Sequence, residues 1–259
     1  MIQPLSSIHP GARLHPSVVV EPFVTIHDNV EIGEGSYISS NAVICPGTRI
    51  GRNCRIFPGA VVGGIPQDLK FRGEDSLAII GDNTVLREFV TINRGTASKG
   101  RTVIGSNTLI MAYSHVGHDC VVGDNVIMSN ATQLAGEVVV DDFAVIGGGT
   151  LIHQFCHIGS YVMIQGGALI NKDIPPYVKA AREPIAFTGI NTVGLHRRGF
   201  SAEAIARIQD IYRMLYMGDY NISEAVDHIE AELPASAERD AVVAFVRASE
   251  RGIIRGPHA

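Results

Sequence analysis

An aliphatic side chain returns at every sixth position from residue 104 to residue 170 without a miss. A period of six fits neither an α-helix, with about 3.6 residues per turn, nor a coiled coil, with about 3.5. It is typical of short strands that alternate inward and outward positions and then turn a corner around a solenoid. The pattern therefore predicts a mainly β chain folded as a parallel β-helix, with three hexapeptides per coil. The anchors are Ile104, Ile110, Val116, Val122, Met128, Leu134, Val140, Ile146, Ile152, Ile158, Ile164 and Ile170.

The same period opens the chain and is broken twice before residue 104. Anchors six residues apart run from Ile8 to Val62. The breaks fall at residues 63–78 and 93–102. Insertions in a solenoid leave the wall as loops, and such loops commonly carry function, although a surface insertion without a role is the alternative.

The six-residue pattern stops after Ile170, and a helical period begins near Phe200. Gly218 is a suitable end for the first of these helices. We therefore expect a β-helix over residues 1–190 and a C-terminal helical domain over residues 191–259. The expected helix starts are Ser201, Ser223 and Ser236.

Composition narrows the function classes. The formal net charge of -5 argues against general nucleic-acid binding. No apolar run reaches the roughly 18 residues of a membrane span, and residues 1–6 carry no signal-peptide features.

Cys54, Cys120 and Cys156 fall on small inward positions and form no CxxC pair, which favours packing over disulfides or metal binding. A cytoplasmic location follows as the expectation.

With eighteen residues per coil, residues 18 apart in the sequence lie one above the other. His118 is therefore expected below Gly136 and Gln154, and Asp119 below Glu137 and Phe155. An imidazole takes a proton from a hydroxyl at neutral pH, and the adjacent carboxylate orients it. Gly136 offers a backbone N–H to an oxyanion. Because the set contains no Ser or Cys nucleophile, it indicates direct transfer to an acceptor without a covalent enzyme intermediate.

Two other interpretations of these residues remain open. A histidine on the outer wall of a solenoid often has no role, and the chain would then be a scaffold. His115, His118 and His153 together also suggest zinc, as in a β-helix carbonic anhydrase, because three protein ligands and an open position form a catalytic zinc site.

Five segments in order make the chain similar to the UDP-N-acetylglucosamine acyltransferases of lipid A biosynthesis. The resemblance extends from the first hexapeptides to Arg255. It implies a left-handed β-helix homotrimer without a cofactor. Its members move a (3R)-hydroxyacyl group from acyl carrier protein to the 3-position of the sugar in UDP-GlcNAc. The segments are 67–70, 115–120, 152–156, 173–178 and 194–200.

The resemblance also assigns roles to residues. His118 becomes the general base, Asp119 its partner and Gly136 the oxyanion donor. Gly166 matches the position that limits acyl length, and a glycine there implies a longer acyl chain. The implied substrate-binding residues are Gln67, Asp68, Lys70, His115, His153, Gln154, Asn191, Arg197 and Arg198.

Two positions depart from the pattern of that family. Glu137 stands where a histidine is usual, and Val193 stands where a glutamate is usual. The first departure leaves a 3-amino sugar nucleotide open as the acceptor, in which case the reaction would be N-acylation. The second removes a polar contact beside Asn191.

Overall fold

The computed structural model describes Ile2 and residues 4–256. Residues 1, 3 and 257–259, which include the outer limits of the two expected domains, lie outside this part of the chain. A left-handed parallel β-helix fills the N-terminal three quarters, and helices follow it. Three sheets form the walls of the solenoid, and successive strands pass from the first wall to the second, the third and back to the first.

The strands of the solenoid are mostly two residues long. The first wall contains β1 (Ser7–Ile8), β4 (Thr25–Ile26), β7 (Val43–Ile44), β10 (Val61–Gly64), β13 (Thr91–Asn93), β16 (His115–Val116), β19 (Gln133–Leu134), β22 (Leu151–Ile152) and β25 (Leu169–Ile170). The second contains β2 (Arg13–Leu14), β5 (Glu31–Ile32), β8 (Thr48–Ile50), β11 (Leu77–Ile80), β14 (Arg101–Ile104), β17 (Val121–Val122), β20 (Val139–Val140) and β23 (His157–Ile158). The third contains β3 (Val19–Val20), β6 (Tyr37–Ile38), β9 (Arg55–Ile56), β12 (Val85–Leu86), β15 (Leu109–Ile110), β18 (Ile127–Met128), β21 (Val145–Ile146), β24 (Met163–Ile164), β26 (Val178–Ala181) and β27 (Ala186–Ile190).

Three edges join these walls. The chain turns from the first wall to the second at the first edge, from the second to the third at the second edge, and from the third back to the first at the third edge. The anchors point inward and are buried from Val20 onward, while Ile8 and Leu14 in the first coil are partly buried. Parallel pairing of each coil with the next satisfies the backbone between them.

The predicted register of 18 is confirmed where the chain has no insertion. His115 pairs with Gln133, and Gln133 pairs with Leu151. The offset grows to 30 between Val61 and Thr91, and to 24 between Thr91 and His115. The excess of 12 residues forms the first loop (residues 65–76), and the excess of 6 residues lies within the second loop (residues 94–100). Both loops leave the solenoid at the first edge.

Three inward cysteines fill the core as small apolar side chains. Cys54, Cys120 and Cys156 are fully buried free thiols. Burial raises the pKa of Cys120 to about 12 and that of Cys156 to about 11. A buried neutral thiol is a poor nucleophile and a poor metal ligand, so these residues act in packing.

The solenoid ends in an antiparallel hairpin that the six-residue period did not predict. Strand β26 extends the third wall in parallel with β24, and β27 then pairs with β26 in the opposite direction. Four helices follow: α1 (Thr192–Arg197), α2 (Ala202–Met217), α3 (Ile222–Glu232) and α4 (Ala237–Ala248). In the part of the chain that is described, no helix is long and apolar enough to cross a membrane.

Side-chain caps start the helices. Ser201 caps α2 and Ser236 caps α4, as predicted, and α2 ends at Gly218. The predicted start at Ser223 is wrong, because Asn221 caps α3. Its side chain accepts from the Glu224 N–H at 3.0 Å, while the Glu224 carboxylate accepts from the Asn221 N–H at 3.1 Å. This reciprocal capping box outcompetes the nearby serine.

Candidate active site

The candidate site lies at the first edge, in the turn between β16 and β17. Here the His118 Nδ1 lies 2.9 Å from the Asp119 Oδ2. The Asp119 side chain is completely buried, whereas 18% of the His118 side chain remains exposed. Asp119 has a φ of 59°, a left-handed corner conformation that points consecutive side chains in different directions and still lets these two meet.

The second loop holds Asp119 in place. Thr96 donates its backbone N–H to Oδ1 at 2.9 Å and its hydroxyl to Oδ2 at 2.6 Å. Lys99 N–H adds a longer contact to Oδ1 at 3.3 Å, and the Asp119 N–H donates to Thr102 Oγ1 at 2.8 Å. Burial alone raises the pKa of Asp119, but the hydrogen bonds from Thr96 and His118 outweigh it and lower that pKa.

An ionised Asp119 fixes the tautomer of His118. A carboxylate only accepts, so Nδ1 carries the imidazole proton and Nε2 keeps a free lone pair. Gly136 lies directly over that ring, since a Cβ built on Gly136 would come within 2.5 Å of Nε2 and 2.6 Å of Cε1. Within the described chain, the Gly136 N–H has no acceptor. A base with a free nitrogen and an unused amide donor therefore lie side by side.

The first loop brings a second carboxylate to the imidazole. Asp68 Oδ2 lies 4.0 Å from the His118 Nε2, and Asp68 Oδ1 accepts from the Lys70 N–H at 2.9 Å. Gln67 and Lys70 are exposed on either side of Asp68. Asp68 thus lies near the open side of the imidazole, and Gln67 and Lys70 flank it in the first loop.

His115 lies on the first wall beside the same edge. Its Nδ1 is 2.8 Å from the Thr91 Oγ1. Burial, with a smaller contribution from the nearby His118, lowers the pKa of His115. Desolvation disfavours the charged imidazolium, so His115 is neutral at pH 7 and can either donate or accept a hydrogen bond.

The coil above the catalytic pair contributes Glu137, and the next coil contributes His153 and Gln154. Glu137 Oε2 lies 3.8 Å from the Nζ of Lys99 in the second loop. His153 and Gln154 are exposed, and the His153 Nδ1 lies 3.1 Å from the Gln154 carbonyl oxygen. Polar groups therefore extend along the first edge over three coils.

Four of the predicted site residues lie elsewhere on the molecule. Asn191 and Arg198 contact the second edge: the Asn191 amide donates to the Tyr161 carbonyl at 2.9 Å, and the Arg198 guanidinium lies over the Phe143 ring at 4.8 Å. Arg197 is exposed beside them at the end of α1. Gly166 lies on the third edge, where a Cβ would approach the Gly148 oxygen to 3.0 Å.

Two contributors were missed by sequence reasoning. Thr96 and Lys99 lie in a stretch without periodicity, so counting by 18 gave them no position. The available signal was indirect, because the loop that contains them leaves the wall in the coil immediately before His118. In the described residues no group of three or more His, Cys, Asp or Glu side chains is arranged to hold a metal ion.

Sequence comparison identifies relatives of the chain over almost its whole length. Residues 173–254 match the family model described as Udp N-acetylglucosamine O-acyltransferase, domain 2. Three stretches match the bacterial transferase hexapeptide model: residues 6–40, 29–64 and 101–136. The acyl-[acyl-carrier-protein]–UDP-N-acetylglucosamine O-acyltransferase of Myxococcus xanthus is 42% identical over 98% of this chain and 99% of its own length. Its counterpart in Saccharophagus degradans is 43% identical over the same shares.

Solved structures agree with the sequence relatives. A UDP-N-acetylglucosamine acyltransferase from Bacteroides fragilis superposes with a TM-score of 0.97 at 55% identity and covers 98% of this chain and 100% of its own. The Francisella novicida enzyme gives a TM-score of 0.97 at 38% identity, covering 100% of this chain and 95% of its own. With relatives this similar over nearly all of both chains, the protein belongs to the family of acyl-[acyl-carrier-protein]–UDP-N-acetylglucosamine O-acyltransferases.

Proposed function

We propose that the protein transfers a (3R)-hydroxyacyl group from acyl carrier protein to the 3-hydroxyl of the glucosamine in UDP-GlcNAc, the first step of lipid A biosynthesis. The observation that carries the proposal is the arrangement at the first edge. His118 is oriented by a buried carboxylate and has a free Nε2, and the unused N–H of Gly136 lies above its ring.

The reaction follows from these three groups. His118 Nε2 takes the proton of the sugar hydroxyl while the hydroxyl oxygen attacks the thioester carbonyl carbon. The carbonyl oxygen becomes negatively charged and accepts the Gly136 N–H, and Asp119 stabilises the imidazolium. The C–S bond then breaks, the new ester is released, and the imidazolium returns its proton to the departing thiolate of the carrier. No covalent enzyme intermediate is needed.

The acceptor in this proposal is an oxygen. The family relatives carry O-acyltransferase in their names, which favours the hydroxyl acceptor over a 3-amino sugar and over a zinc-dependent hydration reaction. Glu137 is paired with Lys99 at 3.8 Å. The lysine offsets the negative charge of this carboxylate, so the glutamate is compatible with O-acylation.

We infer that three copies of the chain share their active sites in a homotrimer. The proposed substrate contacts lie on three different edges of one solenoid: His118 on the first, Arg198 on the second and Gly166 on the third. The buried core separates these edges, so one substrate cannot touch all three in a single chain. Rotation about a threefold axis places the first edge of one copy beside another edge of its neighbour.

Exposed aromatic rings on the third edge support this arrangement. Phe89 and Tyr113 stack with their centroids 5.3 Å apart, yet they are 52% and 61% exposed in the single chain. Stacked aromatic rings left in water favour burial against a partner surface. Above them the same stacked column bears only small residues, Ala131, Gly149 and Gly167, which leaves room for an acyl chain beside Gly166.

Substrate binding is assigned to the remaining polar residues. Gln67, Asp68 and Lys70 approach the sugar, with His115, His153 and Gln154 along the same edge, and Arg197, Arg198 and Asn191 hold the nucleotide. An arginine fork suits phosphate oxygens. We place the reaction in the cytoplasm, where unpaired cysteines such as the four of this chain are usual.

The test is an assay of the purified protein with UDP-GlcNAc, its 3-amino analogue and (3R)-hydroxyacyl carriers of several chain lengths. Transfer to the hydroxyl acceptor is expected, and the His118→Ala variant should remain folded and lose ~10²–10⁴-fold in turnover. Turnover unchanged by His118→Ala would refute the mechanism, and preference for the amino acceptor would refute O-acylation.

A further inference from the structure

We propose that Thr96 is a positioning residue for the acyl transfer: its hydroxyl and amide hold the Asp119 carboxylate so that His118 presents Nε2 to the substrate. This inference rests on the proposed function. It concerns a residue in the second loop that touches neither the imidazole nor the expected substrate directly. The loop therefore contributes to the base through one intermediate side chain.

The hydrogen-bond geometry assigns the direction of every proton around Thr96. Its Oγ1 accepts the Ser98 N–H at 3.1 Å and lies 2.6 Å from the Asp119 Oδ2. Since a carboxylate oxygen has no proton to give, the hydroxyl proton points to Oδ2. The same Oδ2 receives the His118 Nδ1–H at 2.9 Å. One carboxylate oxygen thus joins Thr96 to the imidazole.

The second loop is rigid enough to fix this arrangement. The Gly100 N–H donates to the Thr96 carbonyl at 2.7 Å, and the Gly95 N–H donates to the Leu77 carbonyl at 3.1 Å. A Cβ on Gly95 would come within 2.2 Å of the Arg101 nitrogen, so the loop closes more tightly than any other residue would allow. Thr96 itself is 6% exposed.

Removal of the hydroxyl has a predictable electrostatic effect. Oδ2 would keep more of its negative charge, and the imidazolium beside it would be stabilised relative to wild type. Four other titratable groups face the pair: Asp68 from the first loop, Lys99 from the second, Glu137 from the coil above and His115 from the first wall. A Thr96 variant leaves all four in place, so this effect reports on the hydroxyl.

The experiment compares kcat, KM and the pH dependence of kcat/KM for Thr96→Val, Thr96→Ser and wild type. Thr96→Val should lower kcat about 10- to 100-fold, the usual range for a lost hydrogen bond to a charged group, with KM changed much less. Its acidic limb should move to higher pH than in wild type. Thr96→Ser, which keeps the hydroxyl, should restore both.

Thr108→Val is the matched control, because this buried hydroxyl donates only to backbone carbonyls on the second edge, with Gly123 O at 2.9 Å. It should lower the melting temperature and leave the pH profile unchanged. Thr96→Ala serves in place of Thr96→Val if valine is not accommodated, with the same limb shift expected. An acidic limb identical to wild type, or a serine variant as slow as the valine variant, overturns the inference. Failure of the proposed function can be told apart from failure of this inference, because in that case the wild-type protein itself would show no acyl transfer.

Discussion

At the scale of single residues, the candidate site depends on the imidazole of His118 and on the lack of a side chain at Gly136, which lies one coil further along the solenoid. The ring of His118 fills the space that a Cβ on Gly136 would need. The φ angle of Gly136 is not in the left-handed region, so residues with a side chain could adopt this backbone conformation. The glycine is therefore required by the neighbouring imidazole and not by the turn.

Gly136→Ala should consequently preserve the fold and disable the site. The new methyl group must displace the imidazole from its Asp119 contact, and we expect ~10²–10³-fold lower kcat, comparable to the loss of an oxyanion donor. Thermal unfolding should change little. Gly11→Ala is the control, since it lies on the same edge in the first coil and its Cβ would meet the exposed His9 ring at 3.2 Å and the Asp28 Cβ at 3.7 Å, with no backbone atom in the way. A Gly136→Ala variant with normal turnover would separate this glycine from catalysis.

His115 should make stability depend on pH. Its folded-state pKa is lowered, so the unfolded chain binds more protons below its ordinary value of about 6.5. The contribution of His115 to the free energy of unfolding is therefore complete above that pH. It declines as the pH falls from that value to the folded-state pKa. Melting curves at pH 7.5 and 5.5 should show a larger loss for wild type than for His115→Gln, whereas His9→Gln, at an exposed site, should follow wild type. Equal losses for wild type and His115→Gln would contradict this account.

At the scale of elements, the two loops are additions to a wall that is complete without them. Removing residues 65–76 would leave four corner residues between the strand positions of β10 and β11, as in the coils without insertions. The 12 residues removed equal the excess of the pairing offset over 18. The solenoid and the first loop are thus separable.

Deletion of residues 65–76 should therefore give a folded protein without transferase activity, because Gln67, Asp68 and Lys70 leave with the loop. Circular dichroism and size-exclusion chromatography test the fold, and the acyl-transfer assay tests the loss. Deletion of residues 65–75 is the matched control: it shifts the register by one residue and turns inward side chains outward, so it should not fold. Retained activity in the longer deletion would remove the first loop from the site.

The sequence predicted those parts of the fold and site that obey a period. Counting by 18 brought His118 and Gly136 together because every coil must bury its anchors in the same register. Thr96 escaped prediction because a loop has no period to place it. Asn221 was overlooked in favour of Ser223, although Asn221 has a glutamate three residues later and Ser223 does not, a difference that decides between two possible caps.

At the scale of the whole molecule, the proposed substrate contacts are divided among three edges, so in the proposed homotrimer a single chain would hold an incomplete site. This division predicts complementation between inactive variants. Co-assembled His118→Ala and Arg197→Ala/Arg198→Ala chains should recover about one quarter of wild-type activity, because about half of the copies supply each intact edge in random trimers. Mass spectrometry of the purified mixture verifies co-assembly.

The control for complementation pairs two changes on one edge. His118→Ala mixed with Gly136→Ala should recover nothing, since both residues serve the same site from the same copy. Recovery in neither mixture would show that each chain binds its substrate alone and would exclude the shared site.

The reversed hairpin at the end of the solenoid also limits growth of the structure. Stacked parallel coils have the roughly 4.8 Å strand spacing found in amyloid fibrils, and an open last coil would serve as a template for another chain. Here β27 runs against β26, and Ile253 and Arg255 return to pair with Asp173 and Ala186. On the third wall, an incoming strand parallel to the coils would therefore run opposite to β27, which interrupts the parallel stack and disfavours its extension by another chain.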